Sequence, residues 1–227
     1  MSFLFLIRHG QASANSTDYD QLSALGYHQS KLLGTFLASR NIQRVFIGPR
    51  KRHRQTHDQA MQSSWPEPQI TTQLDEFPAH DLMYKALNQL TTQEPSMKQY
   101  AEEIHKHVGT DNNAFGILLR RITDLWVAEK ITHADFESFA DYKNRLEQFL
   151  DQIRHCDSSG DILAFTSAGT LSSIVGLLLQ ADPTLAIRMT WSVFNGSVTT
   201  IRKQGTDLSL ASFNAISHIP KSSRSLL

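Results

Sequence analysis

The chain has 227 residues, with 22 Lys or Arg balanced by 22 Asp or Glu, so its formal net charge is zero. Its length suits one α/β domain, and 40% hydrophobic with 19% charged residues is ordinary for a globular protein. A neutral chain lacks the basic surface of a nucleic-acid-binding protein, so we interpret the one basic run, residues 50–54, as a local anion site.

The sequence predicts a cytoplasmic location without a membrane partner. One cysteine, Cys156, excludes an intrachain disulfide and a paired-cysteine metal site, which fits a reducing compartment. The opening apolar run stops at Arg8, which is too short for a signal-peptide core, and no later run is long enough to cross a bilayer.

Strands and helices alternate in the first part of the chain. A continuous apolar run predicts a buried strand, and apolar residues recurring every three or four positions predict an amphipathic helix. The predicted elements are, in order, a buried strand at 3–8, a helix at 22–37 with Ser23 as its N-cap, a strand at 44–47 and a helix beginning near Arg50.

The pattern loosens between about 63 and 140, where helical stretches are expected at 96–108 and 115–127. We interpret residues 77–140 as an inserted, mainly helical cap. The apolar stripe of its second helix is expected to be core, with the lining of a substrate entrance as the alternative; the stripe comprises Phe115, Leu118, Leu119, Ile122, Leu125 and Trp126.

The alternation resumes after the cap. We expect a helix at 139–153, a strand at 162–166, a helix after Gly169, and a closing hairpin at 197–201 and 208–213. The fold class is therefore a three-layer α/β sandwich over residues 1–227, with a mostly parallel sheet and helices on both faces.

Polar segments follow three of the predicted strands. They are Arg8-His9-Gly10, Gly48-Pro49 leading to Arg52, and Thr166-Ser167-Ala168-Gly169. Ligands bind beyond the carboxyl ends of parallel strands, so we expect these segments to meet at one edge of the sheet.

The ordered motif set resembles the histidine phosphatase superfamily, the phosphoglycerate-mutase-like enzymes. Arg-His-Gly follows the first strand, and Leu-Ser-x-x-Gly-x-x-Gln opens the first helix. The family's Ser-Pro-x-x-Arg-x-x-Gln-Thr run opens the second helix, with Gly48 in the place of its serine. The matching residues are Arg8, His9, Gly10, Asn15, Leu22, Ser23, Gly26, Gln29, Pro49, Arg52, Gln55, Thr56, Leu74, Glu76, Phe213, Asn214 and His218.

This resemblance implies a phosphoryl-transfer site without cofactor or metal. His9 would be the nucleophile, and Arg8, Arg52 and Asn15 would hold the phosphate, because guanidinium groups pair with phosphate oxygens at any working pH. Glu76 would protonate the leaving oxygen, with Asp75 as its rival.

The chain departs from the family at the second histidine. The usual Ser-His-Gly-Gly is Thr166-Ser167-Ala168-Gly169, which puts Ser167 in the place of the histidine, with Ala168 as a further phosphate-binding position. Losing one such donor costs on the order of 100-fold in rate. The charges that could compensate are His80, Arg50 and Arg54, although the two arginines also fit a solvated helix face, and Ser167 also fits a simple helix N-cap.

A metal site is not expected. His53 and His57 have the i, i+4 spacing of helical metal ligands, but no carboxylate or cysteine motif accompanies them. The leading hypothesis is a metal-independent phosphomonoester hydrolase acting on a phosphorylated small molecule or phosphoprotein, rather than a mutase. The alternatives are a degenerate module that only binds a phosphorylated ligand, and an interaction module using the cap.

Overall fold

The computed structural model describes residues 2–13, 20–106, 112–157 and 159–226, without the side chains of 103–106 and 112–113. The chain divides into two compact units. The first comprises Met1–Glu76 with Leu146–Leu227, and the second comprises Phe77–Arg145.

A six-stranded mixed sheet is the centre of the first unit. Its strands are β1 (Ser2–Arg8), β2 (Ile42–Ile47), β3 (Gln69–Ile70), β4 (Asp161–Thr166), β5 (Val198–Gln204) and β6 (Asp207–Ala215). The order across the sheet is β3-β2-β4-β1-β5-β6. The first four strands run parallel to one another, β5 runs antiparallel to β1, and β6 runs antiparallel to β5. The predicted mostly parallel sheet with a closing hairpin is therefore confirmed.

The described residues form nine α-helices. They are α1 (Ala24–Leu37), α2 (Lys51–Ala60), α3 (Ala79–Lys85), α4 (Leu87–Gln93), α5 (Lys98–Lys106), α6 (Asn112–Val127), α7 (Phe139–His155), α8 (Ala168–Leu179) and α9 (Pro183–Arg188). Ser23 caps α1 as predicted, since its hydroxyl accepts a hydrogen bond from the amide of Gly26. Sequence reasoning missed β3, α3, α4 and α9.

Helices cover both faces of the sheet because successive side chains of a strand point to opposite faces. Phe5 and Ile7 of β1 share one buried cluster with Leu33 and Leu37 of α1. On β2, Val45 and Ile47 belong to the same cluster, whereas Phe46 between them meets Phe149 of α7 edge-on, with ring centroids 5.6 Å apart. The predicted α/β fold class is confirmed.

The second unit is helical and has its own buried side chains. In α6, Leu118, Leu119, Ile122, Leu125 and Trp126 are buried, whereas Phe115 is 39% exposed. The indole N–H of Trp126 donates to the carbonyl of Glu137 at 3.0 Å. The stripe predicted as core is core apart from Phe115.

Candidate active site

Three strands end side by side at one edge of the sheet. In the parallel register, Arg8 of β1 lies opposite Thr166 of β4, and Ile47 of β2 lies opposite Phe165. Just beyond these ends the amide of His9 donates to the carbonyl of Thr166 at 3.0 Å, and the amide of Gly48 donates to that of Phe165 at 2.9 Å. The segments expected to converge do so.

His9 is buried directly after β1 and is held in one neutral tautomer. Its Nδ1 lies 2.7 Å from the carbonyl oxygen of Gly10, which can only accept, so Nδ1 carries the proton. Its Nε2 lies 3.1 Å from Arg52 Nε, which can only donate, so Nε2 carries the lone pair. The imidazole thus presents an unprotonated nitrogen, as a nucleophile must.

The surroundings keep His9 uncharged. Burial lowers the pKa of His9 well below its ordinary value, and the positive charges of Arg52 and Arg8 and the proximity of His53 lower it further. The hydrogen bond to Gly10 acts in the opposite direction but is the smaller effect. A neutral imidazole is therefore the resting state near neutral pH.

We expect NMR titration of the free protein to show that the His9 imidazole protonates well below the ordinary histidine range. In Arg52→Gln the midpoint should rise, because a positive charge that opposes protonation is removed. The His9 resonance is assigned by its loss in His9→Gln. A His9 midpoint in the ordinary range would contradict this electrostatic account.

Arg52 lies in the first turn of α2 and connects the other site residues. Its Nε donates to His9 Nε2 at 3.1 Å, and its Nη2 contacts Ser167 Oγ at 3.3 Å. These two nitrogens form one edge of the planar guanidinium, the edge that binds two oxygens of one oxyanion. Arg50 demonstrates this use nearby, because its Nε and Nη2 hold the two carboxylate oxygens of Asp75 at 2.5 and 3.2 Å.

Asp20 is a site residue that sequence reasoning missed. One carboxylate oxygen accepts from Arg52 Nη1 at 2.8 Å, and the other accepts from the amide of Lys51 at 2.9 Å. Asp20 therefore fixes the far end of the Arg52 guanidinium and accepts from a backbone amide at the start of α2. The signal in the sequence is an acidic residue just before the Leu22-Ser23 helix start.

Two further motif side chains, those of Thr56 and Gln55, accept hydrogen bonds from backbone amides that follow β1. The amide of Gly10 donates to Thr56 Oγ1 at 3.1 Å, and the amide of Leu22 donates to Gln55 Oε1 at 2.8 Å. A side chain could not be added at Gly10, because its Cβ would lie 2.4 Å from the carbonyl oxygen of Gly26. Glycines at positions 10 and 26 let α1 approach the segment that carries His9.

Arg8 is buried, and its Nη1 donates to backbone carbonyls. The acceptors are the oxygens of Val193 and, at 2.6 Å, Leu226. The segment carrying Val193 is itself fixed by Asn214, which accepts from the amide of Phe194 at 2.9 Å. Arg8 thus places a positive charge near His9 while its side chain is hydrogen-bonded to backbone carbonyls, whereas the Arg52 guanidinium contacts the His9 ring directly.

Ser167 occupies the N-cap position of α8, but its hydroxyl makes no capping bond. Instead Ser167 Oγ lies 2.6 Å from Nε2 of the fully buried His53 and 3.3 Å from Arg52 Nη2. Ser167 is therefore the N-cap residue by position, as the alternative interpretation had it, but its side chain binds other groups. From its spacing with His57, His53 was considered as a metal ligand, and the structure places it beside Ser167.

The two acidic candidates differ in their partners. Glu76 accepts from the amides of Gly169 at 3.3 Å and Thr170 at 3.2 Å, at the start of α8 and next to Ser167. Asp75 is paired with Arg50. Of the two, Glu76 reaches the helix end that carries Ser167.

The other predicted residues are Asn15, Arg54 and His80. Asn15 is outside the described residues. Arg54 is exposed on α2, and His80 lies in the second unit against the ring of Tyr84, with centroids 4.5 Å apart. Within the described ranges no cluster of three or more His, Cys, Asp or Glu could hold a metal ion. None of the helices described is long and apolar enough to span a membrane.

The fold is similar to that of several solved structures. Similar proteins include YhfR from Bacillus stearothermophilus (16% identity, 97% of this chain and 100% of that one, TM-score 0.69). They also include a phosphoserine phosphatase mutant from Entamoeba histolytica in complex with phosphoserine (18% identity, 97% of this chain and 100% of that one, TM-score 0.63). A mycobacterial glucosyl-3-phosphoglycerate phosphatase in complex with VO3 matches as well (17% identity, 95% of this chain and 100% of that one, TM-score 0.64).

No curated protein matches the sequence significantly. The family model of the histidine phosphatase superfamily, branch 1, matches residues 4–126 and 118–216, which together include both halves of the site. The chain belongs to the histidine phosphatase superfamily.

Proposed function

We propose that the protein is a metal-independent phosphomonoester hydrolase that forms a phosphohistidine on His9. The observation that carries the proposal is the Nε–Nη2 edge of Arg52, which faces His9 Nε2 on one side and Ser167 Oγ on the other. A phosphoryl group on this edge would lie between the nucleophile and a hydroxyl donor. Such an arrangement neutralises the oxygens that otherwise repel a nucleophile.

The reaction would take two steps. Arg52 turns its edge from His9 and Ser167 to the phosphoryl oxygens, which frees the lone pair of His9 Nε2. His9 attacks phosphorus, the bond from phosphorus to the ester oxygen breaks, and that oxygen takes a proton from Glu76. Water then attacks the phosphohistidine, returns a proton to Glu76, and releases inorganic phosphate with His9 regenerated.

Glu76 would act as an acid only in the presence of substrate. Two backbone amides hold its carboxylate, and such contacts favour the charged form. An approaching phosphate dianion would repel that charge and compete for the same helix end, which favours protonation of Glu76. Asp75 is unsuited to this role because Arg50 pairs with it.

The substrate class follows from the site and from the named neighbours. A phosphomonoester dianion matches the guanidinium edge of Arg52, and the neighbours include a phosphoserine phosphatase and a glucosyl-3-phosphoglycerate phosphatase. We assign hydrolysis rather than mutase activity, because Ser167 is a neutral donor, less suited to retaining a diphosphorylated intermediate.

A binding module without turnover is the second candidate. In its favour, Ser167 gives a neutral hydroxyl where the family has a histidine, and the lone pair of His9 Nε2 is engaged by Arg52. Both features weaken catalysis while leaving an anion site intact.

Hydrolysis of an aryl phosphate, measured with and without EDTA, distinguishes the two candidates. We expect wild-type turnover that survives EDTA, because the proposed mechanism uses no metal ion. An inactive wild type that binds the aryl phosphate in calorimetry would support the binding module. Activity lost with EDTA would contradict the metal-independent mechanism.

A further inference from the structure

His53 is a buried side chain of α2 to which the proposed reaction assigns no part. It is 0% exposed, its ring centroid lies 5.7 Å from that of His9, and its Nε2 lies 2.6 Å from Ser167 Oγ. Ser167 in turn lies within 3.3 Å of Arg52 Nη2. A chain of contacts thus connects His53 through Ser167 to the guanidinium edge beside the nucleophile.

Space for this imidazole is provided by Gly48. A Cβ at position 48 would lie 2.4 Å from His53 Nδ1 and 2.5 Å from the carbonyl oxygen of Leu74. In the motif that this chain resembles, the same position carries a serine. Gly48 and Ser167 both differ from the motif, and both contact His53 or make room for it.

The hydrogen-bonding capacity of the pair suits an anion site. Burial and the charges of Arg52 and Arg50 hold the pKa of His53 well below its ordinary value, against a smaller upward effect from the backbone of Gly48, so its ring is neutral with one donor and one acceptor nitrogen. If Nε2–H donates to Ser167 Oγ, the hydroxyl proton is free to donate to a third group. That group can be an oxygen of a phosphoryl bound at Arg52.

We propose that His53, with its ring proton on Nε2, is a positioning residue that directs the Ser167 hydroxyl proton toward the transferring phosphoryl group. An imidazole of α2 then acts on this side of the site, where the family motif has a histidine at the end of β4. The inference rests on the proposed function for its catalytic consequence. No bond is made or broken at His53, which only fixes the direction of one hydroxyl proton.

The test is a double-mutant cycle on the intact chain. His53→Ala and Ser167→Ala should each lower kcat/KM for an aryl phosphate on the order of 10- to 100-fold, and the double variant should be no worse than the poorer single variant. The matched control is His57→Ala, which removes a buried imidazole one turn further along α2, where the ring packs on Phe165 and Trp65. It should cost thermal stability without a comparable loss of kcat/KM.

A rescue and a binding measurement separate this inference from the proposed function. His53→Ala/Ser167→His should recover kcat/KM relative to His53→Ala, because it supplies an imidazole directly. Calorimetry with inorganic phosphate should show weaker binding to His53→Ala than to His57→Ala, whether or not the wild type turns over. Additive losses, absence of rescue, or equal phosphate binding by the two alanine variants would overturn the role of His53, whereas an inactive wild type with the expected phosphate binding would overturn only the proposed hydrolysis.

Discussion

Replacing Arg52 with glutamine is expected to lower kcat/KM for an aryl phosphate about 1,000-fold. One guanidinium provides the edge facing His9 Nε2 and Ser167 Oγ, while its other end is fixed by Asp20. Glutamine carries no charge and cannot form the two-nitrogen edge. Arg52→Lys should recover only a small part of the loss, because an ammonium keeps the charge but has no planar edge.

The matched control is Arg54→Gln, which removes an exposed arginine two positions along the same helix. It should leave kcat/KM within about twofold of wild type, since exposed charges are strongly screened. If Arg52→Lys kept most of the wild-type activity, charge alone would suffice and the edge geometry would be irrelevant. If Arg54→Gln lost as much as Arg52→Gln, the effect would belong to the basic run as a whole.

Replacing His9 with alanine is expected to abolish turnover, a loss of about 1,000-fold or more, because the atom that forms the covalent bond is removed. Phosphate binding should persist, since the donor groups of Arg52 and Ser167 remain. Turnover is measured with an aryl phosphate and binding by calorimetry with inorganic phosphate.

Two variants make the His9 measurement specific. His9→Gln keeps a polar side chain in the buried site and should be as inactive as His9→Ala, which separates loss of the nucleophile from loss of packing. Residual hydrolysis at more than a few per cent of wild type in both variants would mean that another group, or water directly, attacks phosphorus.

The fold was predictable in the long segments, where apolar residues recur with one clear period or form one continuous run. The apolar run before His9 predicted β1, because a central strand with helices on both faces of its sheet is buried along nearly its whole length. The missed elements are short: α3 and α4 have seven residues each, α9 has six and β3 has two. Segments of that length contain too few apolar positions to define a period, so tertiary contacts determine them.

The sequence predicted the part of the site that lies at the ends of the strands. His9 follows β1 and Ser167 follows β4, so parallel pairing alone predicted that they would meet. The direction of a helical side chain depends on what the helix packs against, and for that reason His53 was grouped with His57 by spacing. Gly48 was the available signal, because a glycine where the motif has serine indicates that another group occupies the space.

Trapping the intermediate tests the phosphohistidine mechanism most directly. Wild type is mixed with excess aryl phosphate, quenched within milliseconds in alkali, where phosphohistidine is stable, and digested for peptide mass spectrometry. We predict one phosphoryl group on the peptide that contains His9, lost on acid treatment and absent in His9→Ala. Steady hydrolysis with no phosphorylated His9 at any quench time, or a phosphoryl group on another residue, would contradict the mechanism.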